Sequence, residues 1–251
     1  MAVLHGGPGA AGEMKPVAEA LAGKRGILEP LQTAPSLEGQ IRELKTVLER
    51  NAGLPAVLIG YSWGAWLGYL LAGEAPELVK KLILVSGGPF EAHYAENIMP
   101  CRLERLSPGE RAEAETLLAA LNRGKGGNRD VLEHFGRLLA KADGYDLLPE
   151  SGEKITISRK IFQKVWPQAE MMRKSGELLR RGKQIRCPVL AIHGDYDPHP
   201  AAGVSEPLSG IIRDFRLVLL KHCGHQPWRE REAQAEFYRI LDQELSELSA
   251  E

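Results

Sequence analysis

Short, mostly apolar runs punctuate the chain at Ala2–Leu4, Gly26–Leu28, Ala56–Ile59, Leu82–Val85, Val189–Ile192 and Phe215–Leu220. Runs this short, with almost no polar alternation, predict strands covered on both faces. Between them the apolar positions change to helical spacing. Met14, Val17 and Leu21 form one such stripe, and Leu37, Ile41, Leu44, Val47 and Leu48 form another behind Ser36, a suitable cap. Ala233, Phe237, Ile240, Leu241 and Leu245 mark a last helix. Buried strands alternating with amphipathic helices predict an α/β fold: a mostly parallel sheet of about six strands with helices on both sides.

Residues 90–186 break this rhythm, because helical patterns follow one another there without strands. Ser107-Pro108-Gly109-Glu110 holds a cap, a proline at the first helical position and an acid in the first turn, and predicts a helix running to Gly124. Asn128 starts a second, with Val131, Leu132, Phe135, Leu138 and Leu139 on one face. A third contains Ile161, Phe162, Val165 and Trp166 and is expected to stop before Pro167, with a fourth from Ala169 to Arg181. The block reads as a helical cap, or lid, inserted into a core formed by residues 1–89 and 187–251.

Composition narrows the function classes. With 43% hydrophobic and 26% charged residues, the 251-residue chain has the make-up of a soluble globular protein. A net charge of −1 offers no basic field for nucleic acid. No apolar run has the length of a bilayer span, and no basic segment with an apolar core follows Met1, so no membrane association is expected. Cys101, Cys187 and Cys223 are odd in number and irregularly spaced, as suits reduced thiols in a cytoplasm.

The chemistry gathers in loops that follow predicted strands. His5-Gly6-Gly7-Pro8-Gly9 is a tight turn with exposed amides, and Gly60-Tyr61-Ser62-Trp63-Gly64 has the G-x-S-x-G spacing of a strand–turn–helix elbow. Such a turn needs glycines because a Cβ at 60 or 64 would clash. It lifts the Ser62 hydroxyl to a helix N-terminus, where developing negative charge is favoured. His193-Gly194-Asp195-Tyr196-Asp197-Pro198-His199-Pro200 follows one later strand, and Lys221-His222-Cys223-Gly224-His225-Gln226 the last. A serine needs a base to take its proton, and the base needs a carboxylate to orient it. Chain order supplies a serine, then Asp195 or Asp197, then a histidine; His225 is preferred to His222 because Gly224 frees its loop.

These four motifs, in this order, resemble the α/β-hydrolase fold family. The His5–Gly9 loop is similar to that of prolyl iminopeptidases and related esterases, Gly194, Asp197 and Pro200 fit the family's G-x-x-D-x-x-P, and Gly224-His225 fits its last loop. The resemblance implies Ser62 as nucleophile, Asp197 rather than Asp195 as acid and His225 as base, with backbone N–H groups of Gly7 and Trp63 as the oxyanion hole. It also implies a serine hydrolase of small esters, thioesters, lactones or amides, with a carboxylesterase preferred. A proline-removing aminopeptidase using lid carboxylates such as Glu91, Glu96 or Glu170 is the alternative, and a non-catalytic binding member of the fold is another. His5, Tyr61, Trp166 and Met171 are candidate substrate contacts. No metal or organic cofactor is expected, the loop histidines being read as scattered. Relatives carry additional strands ahead of the oxyanion loop. The sheet here is therefore expected to end at an edge, near Gly26–Leu28, that a second subunit could cover.

Overall fold

A computed structural model describes residues 1–23, 25–122, 129–149, 155 and 158–247. Five parallel strands lie in sequential order: β1 (Ala2–Leu4), β2 (Ala56–Tyr61), β3 (Val79–Val85), β4 (Val189–Gly194) and β5 (Phe215–Leu220). The sixth predicted strand is reduced to one parallel bridge between Ala2 and Leu28. Its backbone pairs through Val3 N–H to Leu28 O and Leu28 N–H to Met1 O, with the Met1 amino group on Gly26 O, before Glu29-Pro30 ends the pairing.

Side-chain alternation along the strands splits the interior into two layers. Leu58, Leu82, Leu84, Val189 and Ala191 face helices α2 (Leu37–Asn51) and α3 (Trp63–Glu74), while Ile59, Ile83, Val85, Leu190 and Ile192 face α1 (Lys15–Ala22) and the C-terminal helix Gln234–Glu247. Ser36 caps α2 as expected, accepting from Gly39 N–H at 3.1 Å. The nearly all-apolar α3 is buried along ten consecutive residues, Trp63 to Ala72, because it lies between the sheet and the helices that follow β3.

Between β3 and β4 run α4 (Ile98–Glu104), α5 (Pro108–Asn122), α6 (Arg129–Asp143), α7 (Arg159–Lys174) and α8 (Glu177–Arg181), of which α7 and α8 share the core of α3. The expected end of α5 at Gly124 and the start at Asn128 lie outside the described residues. Leu106, Ala114, Phe135, Leu138 and Ala142 form a separate apolar cluster among α4, α5 and α6. Helix α7, by contrast, buries Ile161, Val165 and Ala169 in the main core.

Pro167 does not end α7, contrary to expectation. An internal proline costs a helix about 3 kcal/mol. Here Ile161, Val165, Ala169 and Arg173 continue one buried face through the proline, and the Gln168 side chain donates to Lys164 O at 2.6 Å. The break comes later, at Gly176 with φ +73°. After β4, α9 (Ala202–Ser209) packs Val204 and Leu208 into the same layer as α2 and α3.

The elbow glycines are set by contact. A Cβ on Gly64 would fall within 3.0 Å of the carbonyl oxygens of Leu4 and His5, and one on Gly60 within 3.0 Å of Gly64 O. Gly64→Ala is therefore expected to destabilise the fold by about 3 kcal/mol, or to prevent soluble expression. Gly109→Ala, where added carbon meets nothing within 4 Å, is expected to be neutral or slightly stabilising. Urea denaturation of the two variants beside wild type checks this contrast.

Candidate active site

Four of the loops that leave the C-terminal ends of the parallel strands carry the predicted groups, the place where open α/β sheets hold their ligands. Ser62 sits between β2 and α3 with φ +52° and ψ −112°, a conformation that L residues adopt only under constraint. Its N–H donates to Val85 O at 3.0 Å, which anchors the turn to β3. Trp63 opens α3, so its N–H has no carbonyl one turn earlier to bind. On the neighbouring loop Gly7 has φ +103°, and a Cβ there would meet Gly9 N and Ala10 N within 3.0 Å.

The loops after β4 and β5 meet at Asp197 and His225. His225 Nδ1 lies 2.7 Å from Asp197 Oδ2, and the carboxylate is wholly buried. Asp195 does not reach the imidazole. It accepts from Cys223 N–H at 3.3 Å and lies 3.5 Å from Lys221 Nζ. His222 points away to Glu232 at 2.7 Å on the surface. Of the two pairs of alternatives, Asp197 and His225 are the members that contact each other.

The expectation of scattered loop histidines is overturned, since three of them converge on Asp197. His199 Nδ1 is 2.9 Å from Oδ1, and His193 Nε2 is 3.4 Å from Oδ2 while lying 2.7 Å from His199 O. Burial alone would raise the Asp197 carboxyl, but the surrounding His225, His199 and His193 hold it well below the usual carboxylate range. Burial opposes charge on His225, yet Asp197 holds this imidazole above its ordinary value. Burial and the adjacent His225 push His199 down to about 4. Asp197, His199 and His225 also offer ligand-type atoms within 4.8 Å of one another. Both carboxylate oxygens already meet imidazole nitrogens, so a cation would have to displace those contacts.

Residues outside the sequence motifs hold this arrangement. Asp143 O, at the end of α6, accepts from His225 N–H at 2.9 Å. The Asp143 carboxylate takes a paired bond from Arg102 of α4, Nε and Nη2 each at 2.6 Å. Glu230, 0% exposed, accepts from the N–H groups of Gly224 and Tyr145 at 2.9 Å and of Asp146 at 2.8 Å. The segment after α6 and the base loop are thereby fastened together. Isolated acids and an arginine carry no spacing signal, so none of these was legible as part of the site.

Glu13 is the other group that the motifs missed. Its Oε1 accepts from Gln226 Nε2 at 3.3 Å, next to His225, and a Cβ on Gly6 would meet its Oε2. Burial pushes its carboxyl up to about 7, against the pull of His225, Gly6, Gln226 and Arg229. A carboxyl whose folded value is raised stabilises the fold below its unfolded value near 4.5, and that contribution disappears as pH rises through about 7. Glu13→Gln, which mimics the protonated group, is expected to match wild type near pH 4.5 and to exceed it by about 2–3 kcal/mol at pH 8.5. Denaturation midpoints across that window check the sign.

The candidate substrate contacts fare unequally. His5 is 0% exposed and both ring nitrogens lie near backbone carbonyls, Gly6 O at 2.8 Å and Leu31 O at 3.0 Å. It braces its loop and has no nitrogen left for a substrate. Tyr61 is buried against His225 and Trp228, at ring separations of 5.0 and 4.6 Å. Trp166 stacks between Phe162 and Trp66, each 5.9 Å away. Met171 is 70% exposed and lines a shallow depression with Pro167, Gln168, Met172, Ser175 and Glu177, away from the buried face of α7. Cys223 is fully buried and burial raises its thiol, so it acts as filler.

This fold, with the strained serine turn and a buried histidine–aspartate pair in successive loops, defines an α/β hydrolase. The sequence matches the alpha/beta hydrolase family over residues 5–240, and the chain belongs to that family. It is 27% identical over 179 residues to the pimeloyl-[acyl-carrier protein] methyl ester esterase of Nitrosomonas europaea, a match covering 67% of this chain and 64% of that relative. Among solved structures, VinJ superposes with a TM-score of 0.67 at 17% identity, covering 98% of this chain and 90% of the other. Proline iminopeptidase from Mycobacterium smegmatis gives 0.64 at 20% identity, covering 100% and 90%. These last two likenesses show the fold. Among the described residues no helix is long and apolar enough to cross a membrane.

Proposed function

We propose that the chain is a serine hydrolase that cleaves small carboxylic esters through an acyl-enzyme on Ser62. The observation that carries this reading is the 2.7 Å contact between His225 Nδ1 and the buried Asp197 carboxylate, with the His225 ring packed 5.0 Å from Tyr61, the neighbour of the strained Ser62. An ionised carboxylate only accepts, so it fixes the proton of His225 on Nδ1 and leaves Nε2 as the base. Nε2 takes the Ser62 proton as Oγ attacks the carbonyl carbon. The oxyanion then forms under the N–H groups of Gly7 and Trp63, donors worth about 3 kcal/mol each in such sites. His225 gives the proton to the departing alkoxide. The same nitrogen then deprotonates a water that attacks the acyl carbon, releasing the acid and restoring Ser62.

The resemblance to a methyl ester esterase supports esters as the preferred substrates. The aminopeptidase alternative needs a carboxylate free for an ammonium group. Of the three lid candidates, Glu170 is paired with Lys174 at 2.9 Å on the surface, Glu96 is exposed and Glu91 is half-buried near Tyr94. In this reading residues 90–186 act as a cap over the site, with α4 and α6 tied to the base loop. Three free cysteines suit a reducing compartment such as the cytoplasm. p-Nitrophenyl esters of increasing acyl length, assayed beside proline-p-nitroanilide, test the order of preference. Ester cleavage should exceed proline release at least tenfold, and the reverse ratio would move the assignment to an aminopeptidase.

A further inference from the structure

His199 meets the same carboxylate as His225. Its backbone N–H donates to Asp197 Oδ1 at 2.9 Å, and its ring Nδ1 meets the same oxygen at 2.9 Å. The ring lies over that of His225, with centroids 4.3 Å apart and planes 24° from parallel. His193 fixes the peptide behind it through the 2.7 Å contact of Nε2 with His199 O. Since the carboxylate can only accept, both imidazoles must carry their hydrogen on Nδ1, so the two rings have the same tautomer.

From this we infer that His199 is a positioning residue for the base: it shares the Asp197 carboxylate with His225 and covers one face of the His225 ring. The inference rests on the triad reading proposed above. Two consequences have the same sign. The bond to Oδ1 draws carboxylate charge away from His225, and the stacked ring keeps water from it. Each weakens the hold of His225 on a second proton. Both rings cannot be imidazolium at this separation without strong repulsion, so one carboxylate supports a single cation, carried by His225 when it forms, while His199 stays a neutral donor to Oδ1. His199 therefore keeps His225 neutral, and competent as a base, to lower pH than Asp197 alone would allow.

The other charged or titratable groups near His225 are Tyr61 from β2, Asp143 and Arg102 from the helices after β3, His193 from β4, and Glu13 beside the oxyanion loop. All remain in a His199 variant. His199→Phe keeps a stacked ring and removes the bond to Oδ1; His199→Asn restores an N–H donor without the ring. NMR titration of the His225 ring, assigned by its loss in His225→Gln, reads the effect without any substrate. The midpoint of His225 should rise by about half a pH unit or more in His199→Phe, and by less in His199→Asn. The acid limb of kcat/KM should move up with it. If His199→Phe is insoluble, His199→Asn carries the test alone. An unchanged or lowered midpoint in the folded variants overturns the inference and leaves His199 as packing. Failure of wild type to hydrolyse any ester would instead count against the serine hydrolase, because the NMR midpoints still decide the role of His199.

Discussion

Ser62→Ala is expected to lower ester hydrolysis by roughly four to six orders of magnitude, the range seen when the nucleophile of a serine–histidine–aspartate set is removed. The size follows from the mechanism. Without Oγ no acyl-enzyme forms, and the amides of Gly7 and Trp63 and the base at His225 have only solvent water to act on. The fold should survive. The turn is shaped by Gly60 and Gly64 and by the Ser62 N–H bond to Val85 O, all of which alanine keeps. Melting of the variant should stay within about 0.5 kcal/mol of wild type. Steady-state kinetics on a p-nitrophenyl ester, with the melting curve beside it, separate loss of chemistry from loss of structure.

Glu230→Ala is expected to remove both. The buried carboxylate accepts from Gly224, Tyr145 and Asp146 N–H, and the same segments pair again through Leu148 N–H to Arg229 O at 2.7 Å and Arg231 N–H to Asp146 O at 3.0 Å. Alanine leaves three backbone donors without their partner, and each buried unsatisfied donor costs about 1–3 kcal/mol. A loss of about 3–5 kcal/mol follows, with much of the folded population gone at 37 °C. The remaining folded enzyme should also be slow, since Gly224 immediately precedes His225 and its N–H fixes the loop. Glu230→Gln retains one acceptor oxygen and is expected to recover part of the stability. Urea denaturation and kcat measured on the three proteins give the comparison.

Much of the site was legible because its parts occupy fixed sequence neighbourhoods. The Gly60–Gly64 spacing, the glycine loop after Leu4, and Gly194-x-x-Asp197 ahead of Gly224-His225 each announce a turn at the end of a strand. The structure brings the last two together at His225 and Asp197. What escaped was everything held by tertiary contact. Glu230 and Glu13 are single carboxylates with ordinary neighbours in the chain, and burial gives them their importance. His199 was visible as one of several loop histidines, but no pattern says that its ring turns back onto Asp197. Pro167 misled for the opposite reason. Its local cost is real, yet the buried face from Ile161 to Arg173 outweighs it. Gly26–Leu28 has the apolar content of a strand, but its bridge to the sheet is the single one at Leu28.

In the proposed mechanism Ser62 is a nucleophile poised by His225. Treating the folded protein with a fluorophosphonate and locating the adduct by peptide mass spectrometry tests it most directly. One phosphonyl group on the peptide containing Ser62, absent from Ser62→Ala and formed far more slowly in His225→Gln, is the result this account predicts. Folded wild-type protein that stays unlabelled, or that carries the label on another residue, would contradict it.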